Sequence, residues 1–293
     1  MAPAPLRLLL AGVVLARANG PFHRAEYRAI VAAGGSFDAL DGSGETLLSR
    51  STASTNIEVV QLLVDAGANM ELADAGGRTP LESAAHSGNE ALVRILCTGA
   101  NGVRANVEVL EGGTPLLTRS VNTGYYPVVQ QLLDCNANPN ALDAGNLDPL
   151  HHAVVFAQHL DTVRALIAAG ANVNFADPYG LTVLQYAVSL GRPEIAKLLI
   201  DNGANLEVTD CRGLTPLAMA AVHDYTQIAN WLIAAGANRA LLDNVAHPEQ
   251  HDCPMLGLMQ TCFLPDCRTQ PVYTLRRLLT ARKLTNMIAL LLP

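Results

Sequence analysis

The residue types best suited to metal chemistry lie near the C-terminal end of the chain. All are common zinc ligands, and they fall between residues 247 and 267: His247, His251, Cys253, Cys262 and Cys267. Their spacing lacks the paired Cys-x2-Cys order that, together with a His pair, identifies a zinc site. We therefore expect a coil whose thiols pack on the end of the fold, with no metal or other cofactor. Zinc binding by these five residues is the open alternative.

The adjacent histidines His151 and His152 are the other candidates for chemistry, because a histidine is the commonest general base. No nucleophile stands out beside them in the sequence. The chain has no Gly-x-Ser-x-Gly motif, and its glycines belong to turns rather than to a phosphate-binding loop. The sequence therefore predicts that this protein is not an enzyme.

A long phrase recurs along the chain at a nearly constant interval. A Gly-Ala-Asn triplet or a close variant begins at Gly34, Gly67, Gly99, Asn136, Gly170, Gly203 and Gly236. A Gly-x-Thr-Pro-Leu phrase returns independently, with its Thr position at Thr46, Thr79, Thr114, Asp148, Thr182 and Thr215. Such self-similarity at a period of about 33 residues is the signature of a repeat architecture.

Each part of the phrase has a physical reason. Thr-Pro begins a helix, since the hydroxyl caps free N–H groups and proline needs no donor in the first turn. A second helix carries apolar residues at helical spacing, as in Ile195, Leu198 and Leu199, and ends at a glycine. One such helix pair cannot bury its apolar faces alone, so neighbouring copies must stack on it.

The repeated phrase resembles the ankyrin repeat, which "DAGGRTPLESAAHSGNEALVRILCTGAN" follows almost position by position. The resemblance is strong over residues 41–243 and reaches back to Pro5 in a divergent first repeat. It implies an all-α solenoid of about seven helix-turn-helix repeats joined by finger loops. We thus predict an array over residues 1–243. Residues 244–293 are predicted to form a Cys- and His-containing segment with an amphipathic capping helix.

The same resemblance predicts two local features. In the family, a His after Thr-Pro-Leu bonds the Thr hydroxyl, and His151 matches that position, so a structural role is expected for it. Other repeats carry Glu82, Leu117, Gln185 and Ala218 there. The link from Gly99 to Thr114 spans 15 residues where most repeats use 12, which predicts a lengthened finger.

The first residues of the chain allow two interpretations. "MAPAPLRLLLAGVVLARANG" has an apolar run followed by Ala-Arg-Ala, which suits a secretory signal peptide cleaved near residue 18. We favour a divergent first repeat over residues 1–40, because Ala4-Pro5-Leu6 stands where later repeats carry Thr-Pro-Leu. The favoured interpretation goes with a cytoplasmic or nuclear location and reduced cysteines. The alternative makes the protein a secreted effector.

Charge and hydropathy narrow the class of partner. A formal net charge of -7 leaves no general basic surface for nucleic acid. No run of residues approaches the roughly 20 apolar residues of a membrane-spanning helix. We therefore expect a non-enzymatic protein–protein interaction module or scaffold whose partner is another protein.

In ankyrin arrays, as the resemblance implies, partners bind the concave face, which consists of the fingers between repeats and the inner face of the first helices. Transferred by position, the candidate protein-binding residues are Arg78, His86, Leu147, Phe156, Tyr179, Leu181, Leu190, Arg212, Leu214 and His223. The six leucine and aromatic residues among them are expected to form an exposed apolar stripe, which usually marks an interaction surface. The alternatives are that a C-terminal extension covers the stripe or that these side chains stack on one another.

The last segment, "QPVYTLRRLLTARKLTNMIALLLP", carries Leu275, Leu278 and Leu279 at helical spacing among basic residues. It resembles a suppressor-of-cytokine-signalling box at Leu275-x-x-Leu278 and at the final Leu-Leu-Pro, although Leu279 stands where that box has Cys. This resemblance implies a substrate-recruiting adaptor that binds ubiquitin-ligase components. The alternatives are a helix that caps the array and a basic amphipathic helix that touches a membrane or an acidic partner.

Overall fold

A computed structural model describes residues 37–38, 40–157, 159–210 and 213–239 of the chain, and these residues are mostly helical. The helices are α1 (Leu47–Ala53), α2 (Ile57–Asp65), α3 (Pro80–His86), α4 (Glu90–Thr98), α5 (Leu116–Thr123), α6 (Tyr126–Asp134), α7 (Pro149–His152), α8 (Leu160–Ala168), α9 (Val183–Ser189), α10 (Pro193–Asp201), α11 (Pro216–Val222) and α12 (Thr226–Ala234). A π-helical turn, Ala153–Ala157, continues α7. One antiparallel hairpin pairs β1 (Leu110–Glu111) with β2 (Thr114–Pro115), so that Leu110 faces Pro115.

The chain divides into an N-terminal unit, residues 1–141, and a C-terminal unit, residues 142–293. The described part of each unit contains three helix pairs. In the N-terminal unit, the first helices α1, α3 and α5 pack side by side in one layer, and α2, α4 and α6 pack in a second layer. In the C-terminal unit, the first layer holds the π-helical turn, α9 and α11, and the second holds α8, α10 and α12. The described residues thus form six of the predicted helix pairs.

Leucine and alanine fill the space between the two layers. The leucines that are fully buried include Leu48, Leu63, Leu81, Leu92, Leu96, Leu132, Leu150, Leu166 and Leu184. Small residues keep the first helices close together, and in α11 Ala218, Ala220 and Ala221 are all buried. Because each leucine meets side chains of its own pair and of the next, the apolar surface of every pair is buried only by stacking.

Thr-Pro begins helices as the sequence predicts. The Thr79 hydroxyl accepts a hydrogen bond from the Glu82 backbone N–H at 3.3 Å. The Glu82 carboxylate in turn accepts one from the Thr79 N–H at 2.9 Å, which completes a capping box. Thr215 caps α11 in the same way through the N–H of Ala218.

The Thr-Pro at residues 114–115 does not begin a helix at its proline. Both residues belong to strand β2 of the lengthened finger, and α5 begins one residue later than the motif predicts, with Pro115 as an N-cap that offers no side-chain hydrogen bond. Thr118, rather than Leu117, therefore occupies the third position of the helix. The sequence-based alignment of this repeat was wrong by one residue, because pairing with β1 holds the motif in the extended conformation.

A finger here means the loop that runs from one second helix to the next first helix, and an aspartate closes most of them. Asp177 Oδ1 accepts from the N–H groups of Tyr179 at 2.8 Å and Leu181 at 2.9 Å. The Asp177 N–H also donates to the Leu181 carbonyl at 2.9 Å. Asp74 and Asp143 make equivalent bonds two and four residues ahead.

The Gly-Ala-Asn triplets begin a ladder that joins successive fingers. In the N-terminal unit, Glu71 accepts from the Asn106 N–H at 2.8 Å, and Glu108 accepts from the Asn138 N–H at 2.7 Å. In the C-terminal unit the Asn205 N–H donates to the Asn174 side chain at 2.7 Å. Asn138 and Asn205 end such triplets, whereas Asn106 lies five residues after the triplet that begins at Gly99. In all three cases the backbone N–H is satisfied by a side chain of the preceding finger.

Several predictions fall on residues that the structure does not describe. Three predictions concern residues outside the described part of the chain: nearly all of the divergent first repeat at residues 1–40 (or the signal peptide within it), the zinc-ligand types at residues 247–267 and the C-terminal helix after residue 272. The total of about seven repeats and the terminal cap thus stay predictions. Among the described helices, none has both the length and the apolar character to cross a membrane.

Replacement of Asp177 by Ala is expected to destabilise the fold by about 3 kcal/mol. The buried carboxylate holds two backbone N–H groups and the Tyr186 hydroxyl, and hydrogen bonds to a charged group are the stronger ones. Urea denaturation followed by circular dichroism measures the change. Asp201→Ala is the matched control, since Asp201 is exposed and pairs only with Lys197 one helical turn away. Equal losses in the two variants would contradict a special role for the finger aspartate.

Candidate functional site

One extra residue separates Asp148 from the second helix of its repeat. The N-cap His159 lies 11 positions after the N-cap Asp148. The corresponding N-caps in the next two repeats lie 10 positions apart, from Thr182 to Arg192 and from Thr215 to Tyr225. The structure absorbs this insertion by widening the end of the first helix into the π-helical turn Ala153–Ala157. Such single π turns are frequent at functional sites.

The π-helical turn is anchored from the next repeat by a positive charge. Arg192 is half-buried, and its Nη1 donates to the carbonyl oxygen of Val154 at 2.7 Å. Burial lowers the pKa of the Arg192 guanidinium from its usual value. A carbonyl of the π-helical turn thus receives a charge-assisted hydrogen bond from the following repeat.

Phe156 projects from the π-helical turn and is 53% exposed. Its ring lies 5.3 Å from the ring of His152, measured between centroids. The Nε2 of His152 lies 2.8 Å from Oδ2 of Asp143, the aspartate that closes the finger. The finger, the first helix and the exposed aromatic ring therefore form one connected group of side chains.

Opposing effects set the pKa of Asp143. Desolvation by burial, the largest effect, raises it. The hydrogen bond from the Leu147 N–H, together with those from His152 and Gly145, outweighs desolvation, so the pKa of the Asp143 carboxyl lies below its ordinary value. The carboxylate is therefore the form that the folded finger favours.

The following repeat uses tyrosine where this one uses His152. The hydroxyl of Tyr186 donates to Asp177 Oδ2 at 2.7 Å. Burial, the largest effect, and the hydrogen bond to the Asp177 carboxylate both raise the pKa of Tyr186. Tyr179, at the tip of this finger, is 54% exposed. In this repeat too, hydrogen-bonded polar side chains hold the backbone that carries an exposed aromatic ring.

His151 is fully buried and links two repeats, in keeping with the structural role predicted for it. Its Nδ1 lies 2.8 Å from Asp148 Oδ1, and its Nε2 lies 3.3 Å from the carbonyl oxygen of Leu181 in the next finger. Its ring also meets the edges of Phe175 and Tyr186. These contacts occupy both ring nitrogens.

The predicted binding residues differ in exposure. Phe156, Tyr179 and His86 are exposed, while Arg78, Leu147, Leu190 and His223 are partly exposed. Arg212 lies outside the described residues.

Leu181 and Leu214 are only 1% and 5% exposed, so their assignment to an exposed stripe was wrong. Both directly precede an N-cap, and their N–H groups bond to the finger aspartates, Asp177 and Asp210. The chain re-enters the core at this point. The alternative, in which finger side chains pack among themselves, fits these two leucines better.

Sequence reasoning missed a second aromatic arrangement. Tyr225, the N-cap of α12, packs on Gly191 so closely that a Cβ at Gly191 would lie 2.7 Å from the Tyr225 hydroxyl oxygen. The His223 ring stacks on the Tyr225 ring with centroids 5.5 Å apart. The available signal was a tyrosine at the N-cap position that Asn56 and Asn89 hold in other repeats.

The cysteine prediction needs correction for one pair. Cys97 and Cys135 are joined by a disulfide bond in the structure, whereas reduced cysteines were expected. The cause is tertiary, because the stacking of α4 on α6 brings residues 38 positions apart into contact. Within the described residues, no three His, Cys, Asp or Glu side chains are grouped closely enough to hold a metal ion.

Comparison with protein families matches the geometry described above. A model of ankyrin repeats (3 copies) matches residues 27–109, 101–177 and 150–243. These segments cover most of the chain, so the protein belongs to the ankyrin repeat family. The predicted all-α ankyrin-repeat fold is confirmed, and the family consists of non-catalytic modules that generally bind other proteins.

Two curated relatives are similar to parts of this chain. A putative palmitoyltransferase ZDHHC13 of Danio rerio is 30% identical over 100 residues, which are 34% of this chain and 16% of that protein. A putative ankyrin repeat protein FPV031 of fowlpox virus is 33% identical over 103 residues, which are 34% of this chain and 30% of that protein. The matches thus span less than a third of either relative.

Two solved structures are similar over more of the chain. The ankyrin repeat domain of Bcl-3, described as a unique member of the IkappaB protein family, has a TM-score of 0.60 and 27% sequence identity. The match covers 79% of this chain and 99% of that one. An ankyrin repeat domain from Acinetobacter baumannii has a TM-score of 0.58 and 28% identity, with coverage of 65% and 98%.

Replacement of Arg192 by Ala is expected to cost about 2 kcal/mol, because the Val154 carbonyl loses its charged partner. Arg192→Lys should recover part of this loss, since the ammonium keeps the charge but not the planar donor geometry. Hydrogen exchange at residues 153–157 locates the effect, and urea denaturation measures it. Unchanged protection of these residues in Arg192→Ala would show that Arg192 does not stabilise the π-helical turn.

The lowered pKa of Asp143 predicts acid sensitivity. A carboxyl with a depressed pKa in the folded state contributes stability above its unfolded value, ~3.9, and loses this contribution as pH falls through the folded value. Urea midpoints measured from pH 7 to pH 2.5 should fall more steeply for the wild type than for Asp143→Asn. Parallel curves for the two proteins would contradict this linkage.

Proposed function

We propose that this protein recognises another polypeptide through the finger side of its C-terminal unit. The observation that carries the proposal is the exposure of Phe156 and Tyr179, two aromatic side chains in successive repeats. Each lies in a segment that hydrogen bonds hold in place. Aromatic side chains supply much of the binding energy at protein interfaces. Family membership supports the same conclusion, since ankyrin repeat domains generally act as protein-binding modules.

The supports of the two rings favour a preformed surface. Phe156 extends from a turn held by Arg192, and its neighbour His152 is fixed by Asp143. Tyr179 donates its N–H to Asp177, which is itself fixed by Tyr186. A surface that is already ordered loses less conformational entropy on binding.

The chemistry of the surface favours an apolar stretch of partner. Leu147, in a finger, and Leu190, at the end of a first helix, are both partly exposed, and none of the candidate binding residues in this unit is acidic. We propose a partner segment that inserts apolar or aromatic side chains between the fingers of this unit, with a polar contact at the rim from His223.

The double variant Phe156→Ala, Tyr179→Ala is expected to weaken partner binding at least tenfold, because both anchors are lost, while the melting temperature changes by no more than about 2 °C. Affinity capture from the native cell with wild-type and variant proteins identifies the partner that depends on these residues. Calorimetric titration with that partner then measures the change in Kd.

Tyr126→Ala provides the matched control, since Tyr126 is an exposed aromatic residue that begins a second helix in the N-terminal unit. It should leave the same partner bound. Leu181→Ala provides the opposite control: this residue is buried, so about 3 kcal/mol of folding stability should be lost. Equal capture of every partner by the wild type and the double variant would refute the proposed surface.

The adaptor and secreted-effector functions rest on residues outside the described part of the chain and stay predictions. Co-purification of elongin-type proteins that requires residues after Val272 would support the adaptor. An intact mass lacking about the first 18 residues would support the secreted form.

A further inference from the structure

Cys97 and Cys135 lie on neighbouring second helices of the N-terminal unit. Cys97 is in the last turn of α4, and Cys135 is the C-cap of α6. Their Cα atoms are 5.9 Å apart, within the range of about 4.4–6.8 Å that a disulfide allows. The two sulfurs are bonded, so the bridge connects one repeat to the next.

Nothing in the repeat itself requires cysteine at either position. Counted from the N-cap of the second helix, Val64 and Leu133 stand where Cys97 stands. At the C-cap position of Cys135, the α2 and α8 repeats carry Ala66 and Ala169. The two cysteines lie in adjacent repeats, at positions from which their sulfur atoms can form a bond.

The bridge joins the beginnings of two successive fingers. The lengthened finger starts at Gly99, two residues after Cys97, and the next starts at Asn136, immediately after Cys135. The Ala105 N–H returns to bond the Leu96 carbonyl, so the root of the lengthened finger is tied to the same helical turn as Cys97. A covalent bond here restrains both the finger and the contact between repeats.

We propose that the Cys97–Cys135 bond is a redox-controlled link between two repeats, formed and broken by exchange with a small-molecule disulfide of the glutathione class. For oxidation, the thiolate of Cys135 attacks one sulfur of the oxidant and releases one small thiolate. The Cys97 thiolate then attacks the Cys135 sulfur of this mixed disulfide and releases the second thiolate. The protein loses two electrons and two protons, and the oxidant becomes two thiols.

Burial makes the exchange depend on a local opening. Cys97 is 1% exposed and Cys135 is 8% exposed, so Cys135 is the sulfur that meets the small molecule first. Its position at a helix end suits this role, because helix ends open locally at lower free energy than the core. Reduction follows the reverse path with two small thiols.

The test uses the full chain in buffers with different ratios of reduced to oxidised glutathione. After acid quenching and alkylation, trypsin releases Cys97 in residues 95–104 and Cys135 in residues 120–164, and neither peptide contains another cysteine. Mass spectrometry therefore measures the linked fraction directly. We expect a reversible change of this fraction with the glutathione ratio.

Thermal unfolding measures the consequence of the link. Since it spans 38 residues, reduction should lower the melting temperature of the wild type by roughly 10 °C. Cys97→Val and Cys135→Ala restore residues that other repeats carry at these positions, so both variants should fold and show no reductant-dependent shift. Cys262→Ser, the control for the other thiols, should retain the wild-type shift.

Three outcomes would overturn the proposal. The first is the absence of a linked peptide in the most oxidising buffer. The second is a linked fraction that changes without a change in melting temperature. The third is a reductant-dependent shift in Cys97→Val or Cys135→Ala as large as that of the wild type.

Discussion

In most of the described fingers an aspartate holds the loop that precedes the first helix, whereas the finger before α5 contains a β-hairpin. In three of these fingers the aspartate Oδ1 accepts two backbone N–H groups, and its Oδ2 contacts the first helix of the same repeat. That second partner is Arg50 for Asp41, His152 for Asp143 and Tyr186 for Asp177. The same group therefore closes the finger and fixes it against the helix that follows. Strand pairing in these three fingers is limited to one isolated bridge, between Ala176 and Thr182, so the shape of each finger depends on the aspartate.

The aspartate acts within a repeat, and two other interactions join repeats together. Apolar side chains pack between successive helix pairs. Glu and Asn side chains of one finger also accept hydrogen bonds from backbone N–H groups of the next finger. Both kinds of contact join repeats that follow one another in the sequence. Stability in such an array is close to a sum over repeats and their interfaces. A change in one repeat can therefore be tolerated without loss of the whole fold.

Three irregularities distinguish individual repeats of this protein from the others. An extra residue before α8 is taken up by a π-helical turn that carries the exposed Phe156. The longer link before α5 contains an additional turn, closed by the Ala100–Val103 bridge, and then a β-hairpin. A pair of cysteines adds a covalent bond at one interface between repeats. In the proposed mode of action, the regular repeats supply rigidity, and the irregular residues supply contacts that distinguish one partner from another.

The sequence by itself determined the repeat, its period, the helix pairs and the helix-initiating role of Thr-Pro at Thr79 and Thr215. These features are local: each depends on residues within a few positions, so the pattern of residue types is sufficient to predict them. Exposure of Phe156 and Tyr179 also followed from their positions in the repeat.

Only the tertiary structure decided which finger leucines are exposed, how the insertion before α8 is absorbed and which cysteines meet. Leu147 and Leu181 hold the same motif position, yet one is partly exposed and the other buried. The shared motif position therefore does not decide their burial. Cys97 and Cys135 are joined because α4 stacks on α6, and a contact across 38 residues leaves no trace in local sequence. Contacts between repeats are set by the packing of whole helices, and that packing is a property of the assembled chain.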